Sequence, residues 1–385
     1  MQGGAEDAVY GAADAVLQRQ HVSRRRLPGN VRVLTVVGNR PQFVKAAAVS
    51  HRLREVGDEV LVHTGQHYDE ELSAVFFGEL GLPRPEHQLA LGGGSNTAQV
   101  ARMLDALEPL LAAERPDLLL VYGDTNSTLA GALAGAQARV PVVHVEAGMR
   151  SFDRSMPEEL NRVLADHAAD LLLCSSERAA ENLRAERVAG RVEVVGDVMV
   201  DVALLLGPRT AARTDVLDAH GVEPGRFLLV TAHRAGNVDD PARLERLVAL
   251  LEALPVPAIL PLHPRTRARL EAAGLLDRLA GAGGVRLTAP LGYLEFTALL
   301  HHARAVLTDS GGVQKEAYLA GTPCVTLRST TEWTETVDAG WNVLVDLDAR
   351  AALDALERPA PAERPALYGD GRAGERVVAA LRMAA

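Results

Sequence analysis

The sequence predicts an α/β protein made of two doubly wound units that face a central cleft. Three observations carry that prediction. At 385 residues with 48% hydrophobic content, the chain is too long for one ordinary core and apolar enough for two. From residue 31 onward, short β-branched and leucine runs alternate with alanine-rich helical stretches, as βα units of a parallel sheet do. Clusters of polar residues then follow the apolar runs, at the strand ends where open parallel sheets bind ligands.

The first series of strands is expected at Val31–Val37, Glu59–Thr64, Leu118–Tyr122, Val140–Val145, Leu171–Cys174 and Val192–Asp197. The second is expected at Phe227–Thr231, Ala258–Leu262, Val285–Leu287, Ala305–Thr308 and Cys324–Leu327. Each series suits one Rossmann-like domain. Residues 31–200 are assigned to the first and 201–365 to the second, because Pro208 and a switch to charged helix mark a crossing after residues 197–206. Residues 366–385 turn at Gly369–Gly371 and continue as a basic, alanine-rich helix expected to pack back on the first domain. Residues 1–30 read as an extension dispensable for chemistry.

Forty basic against fifty acidic residues leave a formal charge of −10, which gives no general attraction to nucleic acid or anionic lipid. Any phosphate must then be held locally. Cys174 and Cys324 each sit at the end of an apolar run, as buried thiols do, and have no metal-type spacing. The leader has no apolar segment of signal-peptide length, so a cytoplasmic protein without membrane contact is expected.

The polar clusters are GNRPQ (Gly38–Gln42), GDTNST (Gly123–Thr128), HVEAGMRS (His144–Ser151), TAHR (Thr231–Arg234), PLHPRTR (Pro261–Arg267) and TDSGG (Thr308–Gly312). One such cluster is ordinarily a helix cap or a solvated loop, but six in corresponding places form the walls of a cleft. Ser310, Gly311 and Gly312 open a helix directly after a strand, where free amides and the helix dipole suit a diphosphate. Glu316, one turn further, is placed to accept from ribose hydroxyls. Arg40 and Lys45 are placed to close on the phosphates from the other domain. The G-x-G-x-x-G dinucleotide fingerprint is read as absent from the chain and no P-loop is present, so no nicotinamide is implied, and a metal-free site is expected.

The stretches GNRPQFVKAA, VHTGQHYD, VYGDTNSTLAG, HVEAGMRSFDRSMPEELNR, VTAHR, LTDSGGVQKEA and STTEW closely resemble the non-hydrolysing UDP-N-acetylglucosamine 2-epimerases. They span about residues 31 to 345. The resemblance implies a glycosyltransferase-B-like fold, a homodimer, a UDP-sugar substrate and no cofactor. It also implies a reaction in which UDP is eliminated anti to give 2-acetamidoglucal and then returns, with a proton delivered to the opposite face of C2. Such chemistry needs acid/base groups on both faces of the ring and groups that stabilise the departing diphosphate.

By motif, the resemblance makes Asp124, Glu146 and Glu158 the acid/base carboxylates and puts His233 near the diphosphate and anomeric oxygen. Arg162, four residues after Glu158, is expected to keep that carboxylate ionised. Ser155-x-x-Glu158 also reads as a capping box. The nucleotide shell carried over comprises Arg40, Lys45, His263, Ser310, Gly311, Gly312 and Glu316, with Phe296 near the uracil. Without the resemblance, Phe296 would be assigned to the core.

Two departures stand out. Many bacterial members read H-R-R-E-N where this chain has His233–Asn237 (HRAGN), and the missing glutamate helps them hold an activating second UDP-sugar. Gln66, His67 and Arg234 belong to that allosteric region, and weakened substrate activation is expected. Thr331-Glu332-Trp333 replaces T-E-R-P and leans toward the branch containing UDP-2,3-diacetamido-glucuronate 2-epimerases. For a uronate, Arg150 or Arg154 would supply the cation. A UDP-sugar-dependent glycosyltransferase would share the fold and the SGG…E half, but has no need of three carboxylates around C2.

Overall fold

The two series of apolar runs form two parallel sheets in a computed structural model. It describes residues 31–66 and 81–384, the Arg40 side chain excepted. The expected extension over residues 1–30 and His67 lie outside the described residues. Both sheets belong to one compact unit, Val31–Ala385.

The first sheet contains β1 (Arg32–Val37), β2 (Asp58–His63), β3 (His87–Gln88), β4 (Leu118–Tyr122), β5 (Val142–Ala147), β6 (Leu171–Cys174) and β7 (Arg191–Val194), in the order 3-2-1-4-5-6-7. The second contains β8 (Leu228–Thr231), β9 (Ala258–Pro261), β10 (Val285–Thr288), β11 (Ala305–Thr308), β12 (Cys324–Thr326) and β13 (Asn342–Leu344), in the order 10-9-8-11-12-13. Every pairing is parallel, and in each sheet the strand order reverses once, between β1 and β4 or between β8 and β11. Loops diverge at these switch points and leave a crevice at the strands' carboxyl ends.

The expected α/β fold is therefore the observed one. Two edge strands were not expected. β3 has two residues and β13 has three, too few to give a hydrophobic run. β5 begins at Val142 rather than Val140, because Pro141 has no N–H to give the ladder. Leucine, valine and alanine side chains bury both faces of each sheet, and the helices Arg40–Val56, Val198–Ala211 and Ala373–Ala384 pack together beside the first. Among the described residues no helix is long and apolar enough to cross a membrane.

Gly369, Gly371 and Gly374 do have the G-x-G-x-x-G spacing. No strand leads into them, and the first amides of the helix are already used: Ala373 and Gly374 N–H donate to Asp201 at 3.0 and 2.9 Å. A Cβ on Gly374 would lie 2.5 Å from the Ala48 carbonyl oxygen. The spacing here serves close helix packing.

Candidate active site

Two of the three candidate carboxylates, Asp124 and Glu146, sit where β4 and β5 end. After β4, Thr125 caps the helix Asn126–Ala138 and forms a capping box with Thr128, which leaves the neighbouring Asp124 carboxylate unused for capping. Its Oδ2 accepts from Arg162 Nη1 at 3.1 Å, and its main-chain carbonyl accepts from Asn161 at 3.0 Å. Burial raises the Asp124 pKa, and Arg162 and Lys45 only partly oppose that shift.

Glu146 interrupts the pairing of β5 with β6, where the register slips between Val145 and Ala147. Its φ is +69°, a left-handed conformation that costs a non-glycine residue on the order of 1 kcal/mol or more. That bulge turns the carboxylate between two ammonium groups, Lys45 Nζ at 2.5 Å from Oε1 and Lys315 Nζ at 2.6 Å from Oε2. Burial alone would raise its pKa, but Lys315 and Lys45 together hold it down to about 2. Two carboxyl groups at the ends of adjacent strands are thus pushed in opposite directions, a common sign of separate acid and base roles.

A buried layer supports both strand ends. His144 bonds Asp166 at 2.7 Å through Nδ1 and the Gly123 carbonyl at 2.6 Å through Nε2. Asp166 also meets Arg150 at 2.7 Å, and Arg150 holds Glu186 through two further bonds. Arg150 is 3% exposed and fully engaged, so it is not the free cation expected for a uronate.

The helix Pro157–Ala168 corrects two expectations. Its N-cap is Met156 without a side-chain bond, and Ser155 Oγ donates to Asp153, so no capping box forms. Arg162 is fully buried and turns to Asp124 and Glu159, while Glu158 pairs at 3.3 Å with Arg234 of the other sheet. Helical spacing permits the Glu158–Arg162 pair, but the deeper carboxylates attract the arginine more strongly.

In the second domain the TAHR segment is pinned by one buried carboxylate. Asp309 accepts from the His233 N–H at 3.0 Å, the Arg234 N–H at 2.9 Å and Asn237 Nδ2 at 3.2 Å. The His233 ring stacks on His263 with centroids 5.1 Å apart, and His263 caps the helix Pro264–Ala272. Ser310 is the N-cap of the helix Gly311–Ala320 and makes no side-chain capping bond; a Cβ on Gly312 would meet only Ser310 Oγ, at 3.9 Å. Gly311 is packed tightly, and a Cβ there would lie 2.0 Å from Glu332 Oε1. Glu332, bound to Arg328 at 3.0 Å, is kept near 2: burial acts to raise it, and Arg328, Arg162 and Arg234 overcome that.

Around this helix end, Trp333 Nε1, Arg162 Nη2 and Arg328 Nη1 are buried donors without hydrogen-bond partners. Native interiors rarely leave such donors unpaired, and they suit an incoming anion. Glu316 is half-buried on the same helix. Lys45 is committed to Glu146 rather than free to close on a phosphate. Phe296 is 4% exposed and packs with Phe227, Leu229 and Ile259 in the core. Gln66 accepts from the Ser127 N–H and hydroxyl at 3.0 and 2.8 Å.

Sequence reasoning missed Lys315, Asp197, Asp309, Glu332 and Arg328 as site residues. Lys315, Asp309 and Glu332 lay inside quoted motifs, yet a single sequence gives no sign that they are buried. No group of three or more His, Cys, Asp and Glu suited to a metal ion occurs among the described residues.

A family model described as UDP-N-acetylglucosamine 2-epimerase matches residues 51–382. The chain belongs to this family. A UDP-N-acetylglucosamine 2-epimerase homolog of Methanococcus maripaludis is 44% identical over 91% of this chain and 99% of its own. The UDP-2,3-diacetamido-2,3-dideoxy-D-glucuronate 2-epimerase of Pseudomonas aeruginosa is also 44% identical, over 90% of this chain and 98% of its own. Among solved structures, the Methanocaldococcus jannaschii UDP-GlcNAc 2-epimerase in complex with UDP-GlcNAc and UDP aligns at TM-score 0.86 and 38% identity. That alignment covers 92% of this chain and 99% of the other.

Proposed function

We propose that the chain interconverts UDP-N-acetylglucosamine and UDP-N-acetylmannosamine by anti elimination and re-addition of UDP. The reading is carried by the opposed pair at the strand ends, Glu146 held ionised between Lys45 and Lys315 and Asp124 pushed toward its protonated form. In the forward direction a carboxylate takes the C2 proton, the C1–O bond breaks with its electron pair leaving on UDP, and a C1–C2 double bond forms. In the return, UDP oxygen re-attacks C1 while an acid on the other face protonates C2. Glu146, held as a carboxylate between two lysines, is assigned the base role, Asp124, whose pKa burial raises, is assigned the acid role, and Glu158 with Arg234 lines the same crevice.

The diphosphate is assigned to the amides of Gly311 and Gly312, with Ser310, His233 and the unpaired donors of Arg162, Arg328 and Trp333 beside it. Glu316 and His263 complete the nucleotide shell. A second reading has one specific support, the 44% identity to the P. aeruginosa diacetamido-glucuronate epimerase. There the substrate is the 2,3-diacetamido uronate, and the chemistry at C2 is the same.

Incubation with each UDP-sugar in deuterium oxide, followed by proton NMR, tests both readings. Deuterium at C2 with UDP-N-acetylmannosamine appearing supports the first. Turnover of the uronate alone selects the second. Transfer of sugar to an acceptor without exchange at C2 overturns both in favour of a glycosyltransferase.

A further inference from the structure

Lys315 lies mid-helix in Gly311–Ala320, yet it is 1% exposed. Its ammonium stands 2.6 Å from Glu146 Oε2, 2.5 Å from Asp197 Oδ2 and 4.3 Å from the ring centre of Trp333. The three partners come from separate places: the bulge in β5, the N-cap of the helix Val198–Ala211, and the loop after β12. Lys45, from the helix Arg40–Val56, holds the other oxygen of Glu146. The cluster Lys45, Glu146, Lys315 and Asp197 is neutral as a whole. A buried lysine without such partners would shed its proton.

Each Glu146 oxygen is thus fixed by a different ammonium, one from each side of the crevice. The second of these rides on the helix whose first amides are assigned to the diphosphate. We infer that Lys315 is a positioning residue for the proton transfer at C2, anchored by Asp197 and Trp333, so that seating the nucleotide and aiming the Glu146 carboxylate are one event. The inference rests on the reading of Glu146 as an acid/base group. The other charged or titratable groups around the cluster are Asp124 after β4, which feels Lys45 and Glu146, and Tyr368, which feels Asp197 and Glu335.

The test is the C2 deuterium-exchange rate against pH, using whichever of the two UDP-sugars the wild-type turns over, with UDP affinity and Tm measured alongside. Removing Lys315 alone would strand Asp197, so the main variant is K315M/D197N. Its exchange falls about 100-fold, as expected for a misplaced reacting group. Its acid limb moves up by about one to three pH units, because Glu146 has lost one of two adjacent cations. UDP still binds, and Lys315→Arg restores the wild-type limb. An unchanged limb, with activity loss that merely follows a lower Tm, would show Lys315 to be a strut and overturn the inference.

Asp197→Asn gives an independent reading if the double variant does not fold. Asparagine can still cap the helix, Lys315 keeps its charge, and exchange falls without a raised limb. Wild-type exchange in Asp197→Asn overturns the anchoring. Glu146→Gln separates the two levels, since normal exchange in that variant defeats the underlying reading whatever Lys315 does.

Discussion

Arg234 Nη1 stands 3.3 Å from Glu158 Oε2 and so joins the loop after β8 to the helix Pro157–Ala168 of the other sheet. The pair is partly exposed, so its own contribution to stability is small, about 0–1 kcal/mol. Its expected effect is on chemistry. Glu158→Gln should lower C2 exchange on the order of 10²- to 10⁴-fold, and Arg234→Ala on the order of 10²-fold, each with Tm nearly unchanged. Normal exchange in either variant removes that residue from the mechanism.

Asp309 offers a sharper contrast between fold and function. It accepts from two main-chain N–H groups and one side chain of the TAHR–Asn237 segment. Asp309→Asn turns an amide toward those donors and leaves at least one of them unpaired, costing about 1–3 kcal/mol. We expect a lower Tm together with slower exchange, because His233 loses its fixed place. A variant with both values intact would mean that the segment holds itself.

Gly311 and Gly312 are adjacent but respond to different neighbours. Gly311→Ala drives a methyl into Glu332, and overpacking of this kind costs about 1–3 kcal/mol. Gly312→Ala meets only Ser310 Oγ, at 3.9 Å, so the fold is retained. If the diphosphate lies on these amides, Gly312→Ala weakens UDP binding at constant Tm. Calorimetric titration with UDP checks this, and unaltered affinity would move the phosphate site elsewhere.

Acid stability follows from the carboxylates that are held down. Glu146 and Glu332 have folded pKa values near 2 against an ordinary 4.5. Their contribution is complete above about 4.5 and is lost as pH falls from there toward 2. Asp124 acts in the opposite sense, since its raised pKa favours the folded state as pH falls. Tm should therefore drop below pH 4.5, less steeply in Glu332→Gln than in the wild-type. Equal slopes would show that Glu332 does not contribute.

Position 236 addresses activation by substrate. A Cβ at Gly236 meets nothing within 4 Å, so the site has room for a longer side chain but lacks one. We hypothesise a hyperbolic dependence of rate on UDP-N-acetylglucosamine, with no stimulation of the reverse reaction by that sugar. Clear sigmoidicity in the wild-type would sink the hypothesis.

The α/β alternation, most strand positions and the polar clusters at the strand ends were legible in the sequence, because those depend on short-range pattern. Asp124, Glu146 and His233 were legible in that way, as residues that directly follow or end a strand. The two short edge strands were not, since two or three residues carry no periodic signal. Tertiary structure alone decided the partners. Arg162 chose Asp124 over its helical neighbour Glu158, Glu158 met Arg234 instead, and Lys315 reached Glu146 across 169 residues of chain. A carboxylate's ionisation and aim depend on burial and on charges within a few ångströms. Residues far apart in sequence supply both, so the opposite pKa shifts of Glu146 and Asp124 come from the fold and not from their motifs.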